Sequence, residues 1–104
     1  MDNKEIATEF AELIKSKYGS QIEDVILFGS VVRDEATDES DIDLMVICQG
    51  DRFKLRRKIM AEVFTYLLKY KVYISVKTLS SQDRINLQNS GIMKNIAREG
   101  VVLG

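Results

Sequence analysis

Two apolar runs, Val25-Ile26-Leu27-Phe28 and Leu44-Met45-Val46-Ile47, flank a small-residue pair, Gly29-Ser30, and an alternating acid pair, Asp41 and Asp43. Short apolar runs bounded by turn residues read as buried strands. The connection between the pairs carries four acids over residues 34–40 and no large apolar group, so it reads as a solvated loop. Gly29-Ser30 would end one strand and Asp41/Asp43 would begin the next. If the two pairs share one place, the strands that carry them run in opposite directions.

The remaining elements follow from periodicity. Residues 3–18 form an amphipathic helix, with Asp2 and Glu5 arranged as a capping box and Ile6, Phe10, Leu13 and Ile14 on one stripe. Gly19 is expected to end it in the left-handed conformation. Residues 22–28 make the first strand, Val31-Val32-Arg33 offer one helical turn, and about 41–48 make the second strand. Asp51 is the N-cap of a long helix, roughly 52–70, whose core row is Leu55, Ile59, Val63 and Leu67, joined by Met60, Phe64 and Leu68. At ~1.5 Å per residue it spans roughly 28 Å, enough to cross a small sheet. Alternation over Val72 to Leu79 gives strand three; Ser80 with Asp83 opens a short helix, and Ile92 to Glu99 form the last one, stopped at Gly100.

A strand, a long helix and a strand should place both strands parallel in one sheet. The expected class is α/β (α+β): a small mixed sheet of about three strands covered by helices, in the order α-β-(short α)-β-α-β-α. Residues 1–104 are read as a single domain.

Composition excludes much chemistry. The chain has no histidine, which removes His-based triads, imidazole zinc sites and His general bases. A formal net charge of −1 gives no global pull toward nucleic acid, and no direct nucleic-acid binding is expected. No apolar run approaches a membrane span, and the polar amino terminus is unlike a secretory signal. The single cysteine, Cys48, forms no intrachain disulfide and reads as inert core, in keeping with a reduced cytoplasmic setting. Arg52, Lys54, Arg56, Arg57 and Lys58 read as a solvated helix start, or alternatively as a docking surface for an acidic partner. Tyr66, Tyr70 and Tyr73 read as packing residues.

Carboxylates therefore carry the candidate chemistry. Asp41 and Asp43, two apart in a strand, point to one face while Ile42 turns into the core. Two carboxylates held so close repel each other unless a cation lies between them, and magnesium takes a few carboxylate oxygens, phosphate oxygens and water. Gly29 allows backbone to approach a phosphate, Ser30 offers a hydroxyl, and Arg33 offers a cation for phosphate charge.

Residues 27–46, LFGSVVRDEATDESDIDLMV, resemble the signature of the minimal nucleotidyltransferases (MNT) of the DNA polymerase beta superfamily. The matching positions are Gly29, Ser30, Arg33, Ser40, Asp41 and Asp43, and the order of elements fits nearly the whole chain. The resemblance implies a magnesium-dependent transfer of a nucleoside monophosphate, AMP from ATP, to a protein partner. Small stand-alone members are often the antitoxin of a pair with a HEPN-domain ribonuclease, whose tyrosine they modify with AMP. By the same resemblance Asp41 and Asp43 would be the catalytic metal ligands, and Gly29, Ser30 and Arg33 would hold the triphosphate. The family's third carboxylate, near the start of strand three, falls on Ser75, with Tyr73 as the other candidate, and neither is acidic. The alternative is therefore a nucleotidyltransferase-like binding or regulatory module without turnover.

Overall fold

The computed structural model describes residues 1–33 and 41–103, so Ser40 and the acidic connection expected as a loop lie outside the described residues. The chain forms α1 (Asn3–Tyr18), β1 (Ile22–Phe28), β2 (Ile42–Cys48), α2 (Arg52–Tyr70), β3 (Ile74–Ser80), α3 (Ser81–Asn86), α4 (Gly91–Glu99) and β4 (Val101–Leu103). The sheet order is β3-β2-β1-β4. β1 runs antiparallel to β2 and to β4, whereas β2 and β3, joined through α2, are parallel. The sheet is therefore mixed, as expected, but has four strands rather than about three. Val101–Leu103 is too short to announce itself by alternation, and it becomes a strand only because Val25–Leu27 offer it a free edge.

Alternation along the strands builds two cores. Val25 and Leu27 of β1, Ile42, Leu44 and Val46 of β2, and Ile74 and Val76 of β3 face α1 and α2. From the helices Phe10, Ile14, Leu55, Ile59 and Val63 close this larger core. On the other face Ile26, Met45 and Ile47 pack against Met93 and Ile96 of α4 in a smaller core. A register shift between Ile22 and Asp24 lets Ile22 join the larger core although it lies three residues before Val25. An inserted residue of this kind resets the two-residue alternation.

Several local expectations hold and some are corrected. Asp2, Asp51, Ser80 and Ser90 accept backbone N–H bonds at the starts of the four helices, and Ser80 with Asp83 forms a full capping box. Gly19 does not take the left-handed conformation; it stays right-handed and opens a single 3-10 turn, Gly19–Gln21. Val31-Val32-Arg33 form a hydrogen-bonded turn on the Gly29 carbonyl rather than a helix. On α2, Phe64 and Leu68 are exposed and Tyr66 is buried instead. The Tyr66 and Tyr70 hydroxyls donate to Glu9 of α1, which explains how a phenol is accommodated there. Burial, followed by this bond to the Glu9 carboxylate, pushes the Tyr66 phenol well above its usual range. Cys48 is buried, and the same desolvation raises its thiol, so its reactivity is suppressed. Among the described residues no helix is long and apolar enough to cross a membrane.

Lys71 ends α2 at φ 59°, ψ 30°, the left-handed cap position where a side chain is strained and glycine is not. Lys71→Gly is expected to stabilise the fold by about 0.5–1 kcal/mol. Thermal unfolding should show a Tm higher by roughly 2–6 °C; an unchanged or lower Tm would mean that Lys71 supplies a contact worth as much as the strain.

Candidate active site

The candidate residues gather where β1 ends and β2 and β3 begin. Phe28 is the register partner of Asp43, and Asp43 is in turn the partner of Ser75. These three therefore form one row across the sheet, on the face that carries the smaller core. Ile42 sits between the two acids and is fully buried on the opposite face. Its N–H donates to the Tyr73 carbonyl at 3.0 Å, which pins the start of β2 to the lead-in of β3.

Gly29 turns the chain at φ 83° immediately beside this row. A Cβ added at Gly29 would overlap the Asp43 carboxylate and lie 3.2 Å from its Cγ. Glycine is thus required twice over, for the backbone angle and for the space. The turn continues with the Val32 and Arg33 N–H groups donating to the Gly29 carbonyl at 3.2 and 3.3 Å, and with Val31 buried as its anchor. Ser30 is half-buried at the head of this turn. Of the expected juxtaposition, the structure shows the approach of Gly29 to Asp43.

The electrostatics of Asp43 reflect that crowding. Burial pushes its carboxyl above the usual carboxylate range; Lys77 opposes this most strongly, the Asp41 charge raises it further, and Arg33 lowers it. A carboxylate that is partly desolvated and faces a second one is stabilised by an added cation. The donor set suits a hard ion that takes oxygen ligands and completes its shell with water or phosphate. Asp41 and Asp43 are the residues that could hold such an ion, with Ser75 in register beside Asp43. Among the described residues no three acidic, Cys or His groups converge, in keeping with serine at the third position. Of the two positions expected for a third acid, Ser75 is the one in register with Asp43, whereas Tyr73 precedes β3.

Two features go beyond the sequence reading. Arg33 reaches α4, where its guanidinium meets the Glu99 carboxylate at 3.1 Å. It is therefore held at the rim of the site and is already neutralised in part. Lys77, two residues after Ser75 and hence on the same face, places its ammonium 6.0 Å from the Phe28 ring centroid. It thus extends across β2 toward β1, beside Asp43. Strand alternation from Ser75 was enough to place it, but only the cross-strand row shows what it covers. The basic cluster at the start of α2 lies at the opposite end of the sheet, where Arg52 donates to the Thr78 carbonyl and pairs with Asp83.

The family described as polymerase beta, nucleotidyltransferase matches residues 9–104 of the chain. A Methanocaldococcus jannaschii protein named as a candidate protein adenylyltransferase is 35% identical over 104 residues, covering 99% of each chain. Among solved structures, a candidate nucleotidyltransferase from Sulfolobus solfataricus superposes with a TM-score of 0.58 at 20% identity, over 94% of this chain and 76% of its own. A toxin–antitoxin structure with AMP-PNP superposes at 0.54 and 17% identity, over 93% and 72%. The two structural likenesses speak for the fold; the family match over nearly the whole length, with the end-to-end relative, speaks for descent. The chain belongs to the polymerase beta nucleotidyltransferase family.

Proposed function

We propose that this protein transfers AMP from ATP, with magnesium, to a hydroxyl of a protein partner, and that it acts as the antitoxin of a HEPN-type ribonuclease. The observation that carries this reading is Asp43, two residues after Asp41, held against the Gly29 turn at one sheet edge. The name of the Methanocaldococcus jannaschii relative supports protein as the acceptor, and the toxin–antitoxin structure with AMP-PNP supports the pairing and the adenine nucleotide.

The geometry supports the following proposed roles. Asp41 and Asp43 hold the ion, which supplies charge stabilisation to the phosphates. Gly29 lets the backbone approach the triphosphate, Ser30 offers it a hydroxyl, and Arg33 and Lys77 face its negative charge from either side of the acid pair. The acceptor oxygen attacks the α-phosphorus, a new P–O bond forms, the bond to pyrophosphate breaks, and the hydroxyl proton passes to solvent. Holding acceptor and donor in line accounts for much of such a rate enhancement. Ser75 is the weak point, because a hydroxyl next to Asp43 is a poorer proton acceptor than a carboxylate. A second reading rests on that residue: a family member that binds nucleotide and regulates its partner without turnover. The domain is proposed to act as one unit over residues 1–104.

Incubation with magnesium, labelled ATP and the protein of the adjacent reading frame is expected to label that neighbour. Replacing Asp41→Asn and Asp43→Asn together should lower transfer by roughly a thousandfold or more. It should also remove any rise in Tm that magnesium gives the unaltered protein. Neutralisation of the partner that survives the double change would favour the regulatory reading. Ser75→Asp is expected to raise transfer by roughly tenfold or more. Unchanged transfer, measured alongside an intact fold, would mean that another group already accepts the proton.

A further inference from the structure

Lys77 stands one step further into the sheet than the row of the candidate site. Its register partner is Met45, whose own partner on β1 is Ile26, while Ser75, Asp43 and Phe28 form the neighbouring row. The ammonium lies 6.0 Å from the Phe28 ring centroid, so the side chain runs diagonally across β2, from the Met45 row to the Asp43 row. Diagonal neighbours across strands are within reach of a long side chain. Lys77 is exposed, and among the described residues it makes no hydrogen bond or ion pair. Arg33, the other cation beside the acid, is tied to Glu99 at 3.1 Å. Burial raises the Asp43 carboxyl, and of the charges around it Lys77 acts most strongly, against that rise. The ammonium is thus close enough to favour the Asp43 charge without being bonded to it.

We propose that Lys77 is an exchangeable counter-ion of the acid pair, shielding Asp43 while the sheet edge is empty and turning to the triphosphate when nucleotide arrives. The inference deepens the nucleotidyl-transfer reading and rests on it. Toward Asp43, the Lys77 ammonium and a divalent ion are like charges in competition for one carboxylate. Before nucleotide, Lys77 therefore works against the ion. A polyphosphate carries several negative charges and offers the ammonium a better mate than a carboxylate shared with an ion. With Lys77 so engaged, its repulsion of the ion is offset, and ion and nucleotide each favour the binding of the other. Linkage makes the two effects equal. The residue type suits the task, because lysine is a compact charge on a flexible stem that can swing between two anionic groups. Exposure leaves that motion free, and the Phe28 ring gives the ammonium a resting face that carries no net charge. Arg33 cannot do the same without giving up Glu99.

The test follows Mn2+ on the full chain by electron paramagnetic resonance, which separates bound from free ion without any transfer reaction. Asp43→Asn, or Asp41→Asn at the exposed neighbour, should abolish binding and so locate the ion. Without nucleotide and at low ionic strength, Lys77→Met keeps the stem, removes the charge and should tighten Mn2+ by roughly threefold or more. Lys77→Arg should leave Mn2+ affinity close to that of the unaltered protein. At saturating Mn2+, calorimetry should show Lys77→Met weakening AMP-PNP binding by roughly threefold or more. A lysine that merely packs on the sheet would not move the two affinities in opposite directions. Circular dichroism confirms that the substituted chains are folded, which an exposed position permits. The proposal is overturned if Lys77→Met leaves either affinity unchanged or moves it the other way. Loss of Mn2+ in Asp43→Asn together with an inert Lys77→Met sinks this inference alone. Mn2+ binding that is absent, or indifferent to both acid substitutions, sinks the transfer reading along with it.

Discussion

The close approach of Gly29 to Asp43 fixes the geometry of the candidate site. β1 must end in a turn whose backbone takes a positive φ, and the first residue of that turn must leave space for a carboxylate from the neighbouring strand. Antiparallel pairing of β1 with β2 supplies the proximity, and parallel pairing of β2 with β3 extends the row to Ser75. Both pairings depend on β2 lying between β1 and β3, with its inner residues Ile42, Leu44 and Val46 fully buried against α1 and α2. Hydrophobic burial on one face of β2 therefore positions the carboxylate chemistry on its other face.

The charges around that row are balanced rather than uniform. Asp43 is partly desolvated and faces Asp41, which raises the cost of its ionised form, while Lys77 and Arg33 lower it. Arg33 is shared with Glu99, so α4 takes part in setting the field of a site built on the strands. Such a compensated cluster can exist without a bound ion, and it still gains from one, because an added cation relieves the repulsion between the acids. Serine rather than an acid at position 75 keeps the negative charge beside Asp43 lower, which eases folding of this sheet edge.

α2 shows how one helix serves two surfaces. Leu55, Ile59 and Val63 fasten it to the sheet, and its basic residues stay at the surface, with Arg52 and Arg56 donating to carbonyls of β3. Phe64 and Leu68 are directed away from the core although their spacing from Leu67 and Val63 makes them look like core residues. A 3.6-residue period locates apolar side chains on a helix but does not say which of two apolar arcs meets the sheet. Tyr66 settles the matter by turning inward and finding Glu9 for its hydroxyl.

Much of this protein was legible in its residues. The bounds of α1, β1 and α2 follow from periodicity and capping residues, and the mixed sheet follows from a long helix joining two strands. Gly29 and Asp43 come together because antiparallel flanking strands set the end of β1 beside the start of β2. Sequence alone did not determine the fourth strand, the right-handed conformation of Gly19, the inward turn of Tyr66, the tie between Arg33 and Glu99, or the reach of Lys77 across β2. All but the Gly19 conformation depend on a partner distant along the chain: a free sheet edge, an opposing carboxylate, or an aromatic ring. Local pattern encodes what a segment prefers, whereas only packing decides which of its surfaces, and which of its charges, finds a mate.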